Sequence, residues 1–153
     1  MNFAWARVWF AGTALAVLLG VVIQVAVTAS GPAGRFDSAL ARGLNVFVFF
    51  TIQSNLLVGL TTLLLAINLN QPSVALRTLR LMGLVGITVT FIVFHVALAH
   101  LLDLDSWALV ADTILHTVVP VLAVLGWLFF GPRGWISPRI VWWSLLFPAL
   151  WIA

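Results

Sequence analysis

Read as a pattern of apolar and polar positions, the chain is a succession of long apolar runs separated by short polar breaks. Complete runs cover residues 8–29, 44–68, 79–102 and 107–130, and another opens at residue 139. Each complete run is long enough to cross a bilayer core of about 30 Å as a helix, the form that satisfies its own backbone in lipid. Turn-forming residues mark the breaks: Ser30-Gly31-Pro32-Ala33-Gly34, Asn70-Gln71-Pro72-Ser73 and Gly131-Pro132-Arg133-Gly134. Between the third and fourth runs only Asp103 to Ser106 intervene, which forces an antiparallel helical hairpin. The last run stops at Trp151-Ile152-Ala153 without a polar flank, so the natural protein is expected to continue. The pattern predicts an all-α polytopic transmembrane helix bundle over residues 1–153, with four full spans and a truncated fifth. Arg7 followed by an apolar stretch imitates a signal peptide, but the run is too long for one and reads as a retained first span.

Composition agrees. Hydrophobic residues make up 63% of the chain and charged ones 7%, against about 25% charged in ordinary soluble domains. The basic excess does not point to nucleic acid, because the seven Arg punctuate apolar runs instead of forming a patch. Without Cys there is no disulfide, thiolate metal site or Cys nucleophile. Arg7, Arg77, Arg80, Arg133 and Arg139 fall on one side if the spans alternate, and Arg35 and Arg42 on the other. The bias predicts a cytoplasmic N-terminus. The acidic residues Asp37, Asp103, Asp105 and Asp112 all belong to the outer side. Trp5, Trp9, Trp107, Trp127, Trp135 and Trp142 fall near span ends, as an aromatic belt requires.

What remains is a set of polar residues inside the apolar runs. The stretch Phe49–Leu57, FFTIQSNLL, places Thr51, Gln53, Ser54 and Asn55 within the second run. Counting 1.5 Å per residue from the outer end puts Thr51 roughly 10 Å deep, Asn55 16 Å, Asp112 8 Å, His116 13 Å and His95 10 Å. Gln24 falls at a similar level. Four spans therefore share one polar layer in the outer half. Thr51, Ser54 and Asn55 occupy one helical face, continued by Val58, Gly59 and Thr62, and that face should look inward; Gln53 points away. Asp112 and His116 are spaced i, i+4 and can touch, an arrangement that orients an imidazole as a base. Pro120 has no N–H for the carbonyl of His116, which predicts a bend and a free acceptor beside the imidazole. His100 reads as an interfacial residue.

Three chemistries fit this layer. Thr51 as nucleophile, His116 as base and Asp112 as orienter would make a hydrolase reached laterally by a lipid ester. His95, His116 and Asp112 are three ligands of types that hold metals, though without HxxxH spacing. A proton or solute path is the third, and it needs polar groups in the inner half, where the chain offers little beyond Thr61, Thr62, Asn68 and Thr88.

Thr51 within FFTIQSNLL, with LHTVVPVLAVLGWLFFGPRG from Leu115 to Gly134, resembles the androgen-induced (FAR-17a-like) family of integral-membrane hydrolases, and more closely its bacterial relatives. The resemblance implies about six spans, a bacterial cytoplasmic-membrane location and hydrolysis of fatty acid esters of hydroxy fatty acids. By resemblance Thr51 is the nucleophile and His116 the general base, and no cofactor or metal is required. Asp112, His95 and Asn55 are candidate supporting or oxyanion-stabilising groups. The family pattern carries an acidic residue ten positions after that His, where this chain has Gly126. The expected partner is a lipid or fatty acyl ester, with non-enzymatic lipid binding or transport as the alternative.

Overall fold

A computed structural model describes residues 3–32, 34, 36–70, 73–101, 103–104, 106–131 and 136–152. Arg35, Asp105, Arg133 and Trp135 lie outside the described residues, as do parts of the three turn-forming breaks. Helix α1 spans Phe3–Ser30, α2 Ala39–Asn45, α3 Phe50–Ile67, α4 Val74–Val93, α5 Ser106–Thr113, α6 Val119–Phe130 and α7 Pro138–Ile152. There is no strand among the described residues. Wider i→i+5 turns prolong α4 through Phe94–Leu98 and join α5 to α6 through Ile114–Val118. Counting these extensions, Phe3–Ser30, Phe50–Ile67, Val74–Leu101 and Ser106–Phe130 are long and apolar enough to cross a membrane. The protein is an all-α helical bundle and an integral membrane protein.

Helices α1, α3, α4 and α6 form a ring in which α1 meets α3, α3 meets α4, α4 meets α6, and α6 returns to α1. Helix α7, with 15 residues, packs on α4 outside the ring. Four of the arginines expected to be cytoplasmic gather at one end, here called inner. Arg7 donates to the carbonyls of Ala66 and Ile67 at the end of α3. Arg80 lies over the Phe10 ring at 5.2 Å. Arg77 and Arg139 line one cavity between α4 and α7. Arg42 is at the other end, holding the carbonyls of Ala29, Phe36 and Asp37. The hairpin between α4 and α5 is as tight as expected, and Ser106 enters α5 with φ at 44°, a left-handed value unusual for a residue with a Cβ.

Two boundaries differ from the sequence-based expectation. The second span does not begin at residue 44. Residues 39–48 form a separate helix and a 3-10 turn, and the chain changes direction at Phe49, which is extended (φ −76°, ψ 138°). Leu40, Leu44, Val48 and Phe49 stay exposed while Val46 is 1% exposed among the core side chains Val21, Ile52 and Leu115. The apolar run is thus continuous in sequence but made of two pieces, one on the surface of the bundle and one within it. The third span starts at Val74, not 79, because Ser73 caps that helix through the N–H of Leu76. Trp9 also does more than sit in a belt. Its Nε1 donates to the Leu122 carbonyl at 3.0 Å, and its ring lies against Gly126, where a Cβ would come within 2.7 Å of the nitrogen.

Candidate functional site

Thr51 is the second residue of α3, so the break at Phe49 decides where its hydroxyl stands. From there Oγ1 lies 3.3 Å from Nε2 of His116, on the diagonally opposite side of the ring. His116 Nδ1 lies 2.9 Å from Oδ1 of Asp112 and 3.2 Å from the Asp112 backbone carbonyl. Both neighbours of Nδ1 only accept hydrogen bonds, so the neutral ring carries its proton there. The lone pair of Nε2 is then aimed at Thr51, whose hydroxyl donates to it. Side-chain exposures of 19% for His116 and 13% for Asp112 leave the ring reachable yet largely out of solvent.

The sequence pattern placed an acceptor at His116 by virtue of Pro120, and here the structure corrects it. In the i→i+5 turn the N–H of Val119 bonds Ile114, one residue further back than in an α-helix. Residue 120 is therefore opposite the carbonyl of Leu115. Pro120 has no N–H to offer, and the amide of Asn55 supplies one instead: its Nδ2 donates to Leu115 at 3.2 Å and to the Thr51 carbonyl at 2.9 Å. The missing proline bond becomes a cross-ring tether that ties the first turns of α3 to the turn carrying His116. Gly20 lets α1 close on the same turn, since a Cβ there would stand 2.8 Å from the side chains of both Ile114 and Leu115.

The first turn of α3 has a further property. Phe49 makes no side-chain capping bond, and the first main-chain bond of the helix runs from the N–H of Gln53 to Phe49 at 3.1 Å. Helix geometry thus leaves the N–H groups of Phe50, Thr51 and Ile52 without helical acceptors, beside the Thr51 hydroxyl. Ser54, Asn55, Val58 and Thr62 are buried, as the inward face requires. Gln53 turns back to donate to the Phe47 carbonyl at 3.2 Å, steadying the break.

His95 does not join Thr51, His116 and Asp112. Its Nε2 is 3.1 Å from Oγ1 of Thr117, and the residue is exposed. Between the two histidines lies Phe94, stacked on His116 at 4.1 Å between ring centres and edge-on to His95 at 5.1 Å. Among the described residues no three His or Asp side chains are arranged to hold a metal ion. Gln24 bonds Thr28 within α1 at 3.1 Å and stays out of the site. Gly126 stands about 15 Å along the helix from His116, ten residues at 1.5 Å each, against Trp9. An acidic side chain at that position would meet the Trp9 indole, not the imidazole. Thr117 and Phe94 escaped the sequence reading because an ordinary Thr and Phe in a membrane helix carry no distinguishing signal.

No protein-family profile, curated protein or solved structure matches the chain.

Proposed function

We propose that the protein is an intramembrane hydrolase of lipid esters, of the fatty acid ester of hydroxy fatty acid type, as its resemblance to the androgen-induced family implies. The observation that carries this reading is the set of contacts from Thr51 Oγ1 to His116 Nε2 and from His116 Nδ1 to Asp112 Oδ1, at 3.3 and 2.9 Å. A threonine hydroxyl is a poor nucleophile without an adjacent base, and a base needs its tautomer held; this set supplies both. In the reaction Thr51 Oγ1 bonds the ester carbonyl carbon while its proton passes to His116 Nε2. The carbonyl oxygen, now negative, is stabilised by the N–H groups of the first α3 turn, which have no helical acceptors. Collapse of the intermediate breaks the bond to the alcohol, which leaves with the proton from His116. Water then attacks the acyl-threonine carbonyl carbon and gives its proton to His116. The bond to Thr51 Oγ1 breaks, the fatty acid leaves and the proton returns to Oγ1, with Asp112 stabilising the imidazolium formed in each step. A hydroxyl-to-imidazole distance of 3.3 Å is long and is expected to shorten when substrate enters.

A solute path is favoured less. The inner half holds Thr61, Thr62 and Thr88, and each hydroxyl donates to a carbonyl of its own helix at 2.7 Å instead of facing a channel.

Treatment of the detergent-solubilised protein with a fluorophosphonate probe tests the reading. An adduct mapped by mass spectrometry to Thr51, absent in folded Thr51→Ala, is the expected result. Folded wild-type protein that takes up no probe and cleaves no ester in a lipid-ester screen would sink it in favour of lipid binding.

A further inference from the structure

Among the described residues two widened turns occur, Phe94–Leu98 and Ile114–Val118, and their side chains meet. Such turns weaken the regular helical ladder and are found chiefly where function or packing demands them. Here the contacts between them show what is demanded. Two consecutive residues of one turn meet two consecutive residues of the other: the Phe94 ring lies flat on the His116 ring at 4.1 Å and 18°, and His95 Nε2 bonds the Thr117 hydroxyl at 3.1 Å. In an α-helix successive side chains diverge by about 100°, so adjacent residues seldom both face one neighbour. The wider i→i+5 turn reduces that divergence on both helices. His95 is itself steadied by Phe91, at 4.5 Å between ring centres.

We propose that the His95–Thr117 hydrogen bond and the Phe94 stack act together as a clamp that sets the plane of the His116 ring, so that Phe94, His95 and Thr117 are positioning residues for Thr51–His116. The ring has three constraints on turning about its Cβ–Cγ bond: Asp112 grips one nitrogen, Thr51 stands at the other, and Phe94 lies flat against its face. His95 holds Phe94 in place by anchoring its own turn to Thr117, the residue next to His116. The catalytic consequence rests on the hydrolase reading; the restraint on the ring does not.

The test separates the two. Ring-nitrogen NMR of 15N-histidine protein in micelles reports the His116 tautomer whether or not the protein is an enzyme, with His116→Gln identifying the signal. Wild type should show a single form protonated at Nδ1. Thr117→Val, close in shape but unable to bond, should give exchange between tautomers, and Thr117→Ser should restore the wild-type spectrum. His95→Phe removes the same bond from the exposed partner and should reproduce the valine spectrum; it carries the test if Thr117→Val does not fold. Fluorophosphonate labelling of Thr51 should slow roughly 10- to 100-fold in the two bond-breaking variants, the scale of a small misplacement of a reacting group. Ring signals in both variants identical to wild type would overturn the clamp. Altered ring signals in a protein whose wild type takes up no probe and cleaves no ester would uphold the clamp and remove the hydrolase.

Discussion

The two halves of the bundle use the same residue type in opposite ways. In the inner part, the hydroxyls of Thr13, Thr61, Thr62 and Thr88 each donate to the carbonyl four residues earlier on their own helix. In the outer half, Thr51 and Thr117 instead reach imidazoles on other helices. The backbone differs in the same way. The inner half is regular helix packed closely enough that α4 brings Gly83 against the α3 main chain, where a Cβ would stand 3.2 Å from the Leu57 carbonyl carbon. The outer half has a helix break at Phe49 and two widened turns. Those four threonines on regular helix satisfy themselves locally, whereas the two beside a break or within a widened turn bond other helices. Irregularity is concentrated where threonine hydroxyls meet imidazoles of other helices, and that coincidence marks the candidate site.

The largest effect that would sharpen this contrast comes from His116→Ala. Loss of the base should reduce ester turnover and Thr51 labelling at least about a thousandfold with the fold retained, as measured by probe kinetics beside a thermal melt. Asp112→Asn should rank second, with a fall of roughly 10²- to 10⁴-fold. The amide can donate to Nδ1, which favours the tautomer protonated at Nε2 and turns a proton toward Thr51 instead of a lone pair. A ring-nitrogen spectrum should show that exchange directly. Asn55→Leu removes the amide bond that ties α3 to the His116 turn, together with its bond to Thr51 within α3, leaving the Leu115 carbonyl facing a proline. A loss of about 1–3 kcal/mol in detergent-unfolding experiments is expected, with slower labelling as well. The smallest effect belongs to the inner half. Thr62→Val should cost under about 1 kcal/mol and leave labelling unchanged, since that hydroxyl serves only its own helix. If Thr62→Val cost as much as Asn55→Leu, the distinction between the halves would fail.

Much of this was legible in the linear chain, for identifiable reasons. Span number and the short hairpin at Asp103–Ser106 stem from run length and turn residues, because the bilayer allows few alternatives. The inward face of Thr51, Ser54 and Asn55 comes from the helical period, and the touch between Asp112 and His116 from i, i+4 spacing. The start of α3 was not legible. Leu44 to Phe49 is as apolar as the body of α3, and only packing of Val46 into the core beneath an exposed Leu44 separates the two pieces. Pro120 announced a disturbed helix, but the sequence alone could not say that the disturbance would be a widened turn, nor that Asn55 would answer it.

By itself, then, the sequence determined an all-α membrane bundle, the level at which its polar residues gather, and the pairing of a carboxylate with an imidazole along one helix. These rest on periodicity and on the cost of exposing backbone to lipid, both local quantities. Only the tertiary structure decided that Thr51 meets His116 across the ring, that His95 turns to Thr117 and not to the same centre, and that Gly126 belongs to Trp9. Those outcomes depend on azimuth and height of one helix against another. Such relations are set by a break at Phe49 and by two widened turns, each of which shifts every residue beyond it by amounts no local pattern records.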